Sequence, residues 1–410
     1  MRRDTRMARE KRRMRRSAPR RIRMTRPGRL SVLGLGLLAS CLAASSLSAS
    51  PVQADLRGQL SFWLAGHDRP TAEGAIGARY IPAFSLKKDL GRGSSFDAEV
   101  SLNTYVSLQG PTFAEAAGSA GFKPYRAWAR FSTARFEARL GLQKINFGSA
   151  LLLRPLMWFD RLDPNDPLQL AEGVYGLLLK YTFSGETSVW LWGLARNDET
   201  KGWEYVPTRR DEPEWGARVQ VPLGPGEAAV TYHHRRMDSG RSLPKLPEDE
   251  AAVVPEDRIG IDGKWDLGVG LWFEAVWTRQ AWSTAPWKSQ KLLTLGADYT
   301  FGLGHGLHVL AEHLEADFGA DILGRGSRYR FTALSADYPL GLVDRLRAVL
   351  FRDWISGDWY RILTWQRTYN RWSFYVLGFW NPETYRIPSA GGGANLFAGR
   401  GFQIMIAYNH

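Results

Sequence analysis

The sequence predicts an all-β fold: a transmembrane, antiparallel, up-and-down β-barrel of about 18 strands (16–18). Three observations carry this. Phe96–Leu108 alternates without a break: Phe96, Ala98, Val100, Leu102, Thr104, Val106 and Leu108 face one way, and Asp97, Glu99, Ser101, Asn103, Tyr105 and Ser107 the other. Side chains alternate along a strand with period two, so this is one long strand with an apolar and a polar face. A bilayer-crossing strand needs about 9–11 residues with tilt, which this segment exceeds. Second, the connections alternate between tight and long along the chain, as the short periplasmic turns and longer outer loops of a membrane barrel do. Third, all 17 Trp lie beyond residue 54, where no apolar run approaches 20 residues. Aromatic girdles at two membrane interfaces account for such an excess.

The first 54 residues form a separate unit. Residues 1–29 carry 14 Lys/Arg against Asp4 and Glu10, and residues 30–54 carry no charge. The formal net charge of +13 is therefore concentrated at the start, and the remainder holds 40 basic and 39 acidic residues. A nearly neutral body does not argue for nucleic-acid binding. Met24 opens a normal secretory start, LSVLGLGLLASCLAA is the apolar region, and Val52-Gln53-Ala54 is a small-x-small site for cleavage after Ala54. Leu38–Cys41 also resembles a bacterial lipoprotein cleavage box, which leaves lipidation at Cys41 as an alternative. Cys41 is the only cysteine, so cleavage after Ala54 leaves no disulfide.

Residues 55–410 then read as a single barrel domain. The predicted strands are Leu56–Leu64, Gly74–Phe84, Phe96–Leu108, Tyr125–Phe131, Phe136–Leu142, Val174–Phe183, Thr187–Arg196, Glu214–Val221 and Ala228–Arg236, followed by Ile259–Leu267, Val269–Trp282, Leu292–Phe301, Leu307–Glu315, Arg328–Leu340, Leu346–Ile355, Trp359–Tyr369, Trp372–Trp380 and Gly401–Tyr408. Tight turns fall at 132–134, 184–186, 222–226, 266–268, 302–306, 339–343 and 369–371. Long connections fall at 109–121, 145–172, 197–212, 238–256, 318–327 and 381–399. Greek-key connections of a sandwich would mix lengths at both ends. Closure removes the strand edges that lipid would not tolerate.

The last strand places Phe402, Ile404, Ile406 and Tyr408 outward and Gln403, Met405 and Ala407 inward. It resembles the C-terminal signal read by the assembly machinery of bacterial outer-membrane barrels, with Asn409 and His410 extending past the usual terminal aromatic. Leu140–Pro167 contains Gly141, Gln143, Asn146, Phe147 and Gly148, and it resembles a segment of porin-like and polysaccharide-export barrels, where a strand ends before an inward-folding loop. Alginate-export-type proteins tend to have Arg at the position of Leu142, so that substrate does not carry over. The resemblance implies a bacterial outer-membrane location and a channel.

The 145–172 loop holds an apolar core, LLLRPLMWF, and apolar loop residues need burial. Folding into the lumen would bury them and bring Arg154, Asp160, Arg161 and Asp163 to a constriction, where charges set solute selectivity. A loop packed on the rim is the alternative. Arg126, Arg130, Arg135 and Arg139 share the non-lipid face of two adjacent strands, with Asp97 and Glu99 on the same side of the strand before. They form either a charged lumen wall or neutralising cross-strand pairs. Inward faces read as polar on most strands, which favours a wet lumen over the aliphatic one that fatty-acid transport would need. His233-His234 lacks ligand spacing, and no nucleophile or cofactor motif appears, so no metal, cofactor or catalytic residue is predicted. The expected function is passive passage of small hydrophilic solutes, porin-like or exporter-like. A plugged structural or adhesive barrel is the alternative, and a lipid-modifying enzyme a weaker one. The partners are the bilayer, the assembly machinery and the solute, with homo-oligomerisation left open.

Overall fold

A computed structural model describes residues 51–68, 74–111, 115–160, 167–168, 170–241, 251–283, 287–320, 326–383 and 397–410. They contain 18 strands. The first nine are β1 (Gln53–Asp68), β2 (Gly74–Gly91), β3 (Ser94–Gly110), β4 (Ala117–Ser132), β5 (Phe136–Gln143), β6 (Val174–Thr182), β7 (Ser188–Leu194), β8 (Glu214–Leu223) and β9 (Gly226–Asp238). The rest are β10 (Val253–Asp266), β11 (Gly270–Gln280), β12 (Ser289–Phe301), β13 (Leu307–Gly319), β14 (Ser327–Pro339), β15 (Asp344–Asp353), β16 (Trp359–Thr368), β17 (Trp372–Trp380) and β18 (Arg400–Asn409). Each strand pairs antiparallel with its sequence neighbours, and β18 pairs with β1, so the 18-stranded sheet closes on itself. The tight turns all lie at one end and the long connections at the other. By the usual disposition the tight end is periplasmic and the long-loop end extracellular.

Each predicted strand corresponds to one observed strand. The boundaries differ where composition misleads. The loop expected over 109–121 is mostly ladder, because β3 runs to Gly110 and pairs Tyr105 with Gly121 and Gln109 with Ala117. Glycines and alanines read as loop, but here their small size is what the ladder needs: a Cβ at Gly121 would collide with the Tyr105 ring. The register shift between Ser101 and Leu102 leaves Tyr125 as the extra residue of a bulge. The acidic connection expected over 238–256 also gives up Val253–Glu256, which open β10.

Outward faces are apolar and exposed, as on Val100 (54%), Val230 (54%), Leu295 (54%) and Ile404 (42%). This band is bounded near the tight turns by Tyr181, Tyr299, Tyr369 and Trp372, and near the long loops by Trp215, Trp359 and Trp380, all exposed. An apolar band between two aromatic girdles is the surface of a barrel that spans a membrane.

The interior corrects one expectation. The inward faces of β11–β16 are mixed rather than simply polar: Val276, Leu292, Leu314, Phe331, Phe351 and Tyr360 join one buried cluster with Leu152, Leu153, Leu156 and Trp158 of the connection between β5 and β6, while Glu274, Thr278, Gln290, Thr294, Glu312 and Asp353 are buried on the same rows. Where apolar residues such as Leu314, Phe331 and Phe351 face inward, alternation alone does not separate the lipid side from the lumen side. What covers the inner one is the loop.

Candidate functional site

The connection 144–173 is built to fold inward. β5 ends at Gln143, whose Nε2 donates to the carbonyls of Arg139 (3.0 Å) and Gly176 (2.9 Å). Gly148 then adopts φ +89, and a Cβ there would strike the Glu274 carboxylate, so glycine is required where the chain meets the far wall. Phe147 stacks on Trp192 (5.8 Å) and meets Trp158 and Phe159 edge-on. Asn146 accepts a hydrogen bond from Arg154. Gly141 lies on β5 with Leu142.

Two carboxylates on the opposite wall hold the loop. Glu312 on β13 accepts backbone N–H bonds from Leu151 (2.6 Å), Leu152 (2.9 Å) and Leu153 (2.6 Å), and Trp272 Nε1 donates to it at 3.2 Å. Glu274 on β11 accepts from the N–H of Ala150 (2.8 Å) and Leu156 (3.0 Å). Thr294 on β12 donates to the Leu153 carbonyl at 2.8 Å. Backbone groups buried inside the barrel must find partners, and these acids supply them for a segment without regular secondary structure.

A second connection, 195–213, locks the first. Gly202 N–H donates to the Asp160 carbonyl (3.0 Å) and Trp203 Nε1 to the Arg154 carbonyl (2.8 Å). Glu204 pairs with Arg235 (3.2 Å) and Arg258 (2.8 Å), and Arg235 also forks onto Glu256. Lys201 pairs with Glu214 (3.1 Å), which also meets His233 Nε2 at 3.1 Å. Arg218 pairs with Asp262 (2.6 Å) while its guanidinium lies 5.1 Å from the Phe147 ring centroid. These side chains are buried, and each charge has a partner, as a low-dielectric interior demands.

The candidate residues divide into two groups. Arg154 (7% exposed) and Asp160 (2%) lie in the packed interior rather than on an open constriction. The Asp160 carboxylate has no hydrogen-bond partner among the described residues. Burial pushes its pKa up, against the opposing pull of Arg154, Lys144 and Arg126. It lines a pocket of about 220 Å³ beside the 195–213 connection, with Lys123, Tyr125, Phe159, Glu172 and Asn197. Arg161 and Asp163 lie outside the described residues.

The second group forms a partly buried inner wall on β3–β6. Arg130 Nε donates to both Asp97 oxygens (2.9 and 3.1 Å) and its Nη2 to one of them (3.1 Å). Glu137 joins Arg130 (3.4 Å) to Arg139 (2.9 Å). Trp128, opposite Glu99 in the ladder, carries the Arg130 and Arg139 guanidiniums 5.7 and 5.1 Å from its ring centroid. Lys180 Nζ lies 3.5 Å from the Trp190 centroid. Arg126 turns to the loop instead and donates to the Ala171 carbonyl at 2.8 Å. Arg135 departs from the expected wall: it is exposed in the turn between β4 and β5, where its N–H and carbonyl serve Thr133 and Thr182. Proximity in sequence to a strand did not put it on that strand.

Sequence reasoning missed Glu274, Glu312, Glu204, Glu256 and Arg235. The available signal was an acid interrupting the apolar inward face of a strand, as Glu312 does between Leu310 and Leu314.

No family model matches the chain, and no curated protein matches it. Among solved structures it is similar to Pseudomonas aeruginosa OccK7 (12% identity, 88% of this chain and 99% of that one, TM-score 0.52). It is similar as well to Pseudomonas aeruginosa OccK5 (11% identity, 87% and 98%, TM-score 0.52) and to the anion-selective porin from Comamonas acidovorans (14%, 88% and 100%, TM-score 0.50). The fold is that of an outer-membrane porin barrel. At these identities the likeness speaks for the fold and leaves the solute to be argued from this chain's own residues.

Proposed function

We propose that the protein is a porin-like channel that passes small hydrophilic solutes across a bacterial outer membrane, along the inner wall of β3–β6 and past the inward loop. The observation that supports this is the ion-paired set Asp97, Arg130, Glu137 and Arg139, which faces the interior and in which Arg130, Glu137 and Arg139 stay partly open to solvent beside a buried Asp97. Paired charges of both signs offer a solute carrying hydroxyls, carboxylates or amines a hydrated path. The name of the Comamonas neighbour, an anion-selective porin, agrees with a channel role.

The packing of Leu152, Leu153, Phe331 and Phe351, at 0–2% exposure, favours a second reading, a barrel plugged by its own loop. A planar-bilayer recording of the purified protein separates the two. Discrete conductance steps are expected. Absence of conductance above background overturns the channel and leaves the plugged barrel.

We read residues 1–54 as an export head. Processing after Ala54 would start the mature chain at Asp55, inside β1, whose ladder begins at Gln53 paired with Lys87. The outward row Phe402, Ile404, Ile406 and Tyr408 supports recognition by the barrel-assembly machinery. Asn409 and His410 extend the seam: Gly58 and His410 exchange backbone hydrogen bonds at 3.0 Å, and Gln59 donates to Asn409.

A further inference from the structure

The outward surface of the barrel is not uniform around its circumference. The ladders place only apolar or small uncharged residues on the outward faces of β3–β7. On β12–β16 the apolar alternation stops short of the extracellular end and charge replaces it. Lys291, Arg328, Arg330, Arg352 and Arg361 point outward there, with Glu315 and Asp317 between them. Five cations face two acids on one arc, in a chain whose barrel portion is otherwise close to neutral.

The arrangement of these groups leaves positive charge uncommitted. Asp317 is shared by Lys291 (3.6 Å) and Arg328 (3.2 Å). The Arg352 guanidinium sits between the exposed rings of Trp354 (5.7 Å) and Trp359 (5.1 Å). Arg330 and Arg361 are exposed, and their side chains make no hydrogen bond or ion pair among the described residues. The patch lies between the lipid-facing band and the long loops, beside Trp359 and Trp380 of the aromatic girdle, so it stands at headgroup level in the outer leaflet.

We propose that this arc is a binding site for phosphorylated lipid headgroups of the outer leaflet. The acyl chains lie on the apolar rows below, Leu293, Leu295, Leu334 and Leu363, and the phosphates meet Arg328, Arg330, Arg352 and Arg361. Guanidinium and phosphate pair through parallel N–H···O bonds, which suits arginines in this number. The tryptophans flank the site at the depth of the interface. The site needs a barrel in a membrane and does not depend on whether the barrel conducts.

The test is native mass spectrometry of the full barrel in detergent, titrated with a multi-acylated disaccharide lipid carrying two phosphates. The same lipid without phosphates, and inorganic phosphate, are run in parallel. The protein is expected to take up the phosphorylated lipid in preference to the dephosphorylated one, and inorganic phosphate at equal concentration is expected not to displace it. R330Q/R361Q removes two cations that hold nothing else in place, and is expected to weaken uptake about 20–30-fold, at roughly 5-fold per surface cation. K88Q, at the opposite end of the barrel, is expected to leave uptake unchanged. Equal uptake of both lipids, displacement by inorganic phosphate, or wild-type uptake by a folded R330Q/R361Q would overturn the proposal.

Discussion

Leu152 and Glu312 stand 160 residues apart in the chain and 2.9 Å apart in the fold, the backbone N–H of the first donating to the carboxylate of the second. The bond crosses the barrel interior, from a loop that leaves β5 to a strand on the far wall. With the flanking bonds from Leu151 and Leu153, it defines where the loop sits and therefore what space is left beside β3–β6.

Removing that acceptor should free the loop. Glu312→Ala leaves the buried N–H groups of Leu152, Leu153 and Trp272 Nε1, and the part-buried one of Leu151, without their acceptor, at about 1–3 kcal/mol for each buried group before relaxation. The expected result is a clear fall in the midpoint of urea unfolding, together with larger and noisier single-channel conductance. A quiet channel of unchanged size would mean that the loop does not limit passage.

The β3–β6 wall should set ion preference. R130Q/R139Q removes two partly buried cations and leaves Asp97, Glu99 and Glu137 unbalanced. Reversal potentials in a salt gradient should shift toward cation selectivity. R135Q, in the exposed turn, should leave them unchanged.

The buried cluster around Arg235 should be a stability element. Glu256→Ala leaves Arg235 and Arg258, both nearly inaccessible to solvent, to share Glu204 as their one remaining carboxylate, and breaking a buried pair of this kind costs about 3–5 kcal/mol. Thermal unfolding followed by β-sheet circular dichroism should report it. Loss of less than about 1 kcal/mol would show that water reaches the cluster.

Asp160 should make stability depend on pH in a stated direction. Burial raises its folded-state pKa above the ordinary 3.8, so ionisation costs more in the folded chain than in the unfolded one. That penalty is absent below pH 3.8, grows as the pH rises toward the folded-state value, and is complete above it. Asp160→Asn should therefore raise the unfolding temperature at pH 7 and converge with the unsubstituted protein in acid. Equal differences at both pH values would remove Asp160 as the cause.

Strand number and closure were readable because each strand announces itself locally. Phe96–Leu108 carries its two faces in alternation, and the tight turns at 184–186 and 302–306 separate the hairpins without reference to anything distant. The same logic failed where local composition serves a distant partner. Gly118 and Gly121 look like loop and are ladder, and at Gly121 the Tyr105 ring needs the missing side chain. Arg135 looks like wall and is turn. Leu314, Phe331 and Phe351 are lumen-facing despite being apolar, because a segment far away in sequence covers them.

Alternation with period two, turn chemistry and the placement of aromatics are properties of neighbouring residues, so the chain's own order was enough to define a membrane barrel of about 18 strands and to mark the connection after β5 as a loop that needs burial, inward or on the rim. Which wall that loop meets, and that Glu274 and Glu312 receive its backbone, was settled only in three dimensions. Those contacts join segments more than 100 residues apart. A carboxylate that accepts backbone N–H bonds leaves no periodic trace, since its partner can be any residue at all.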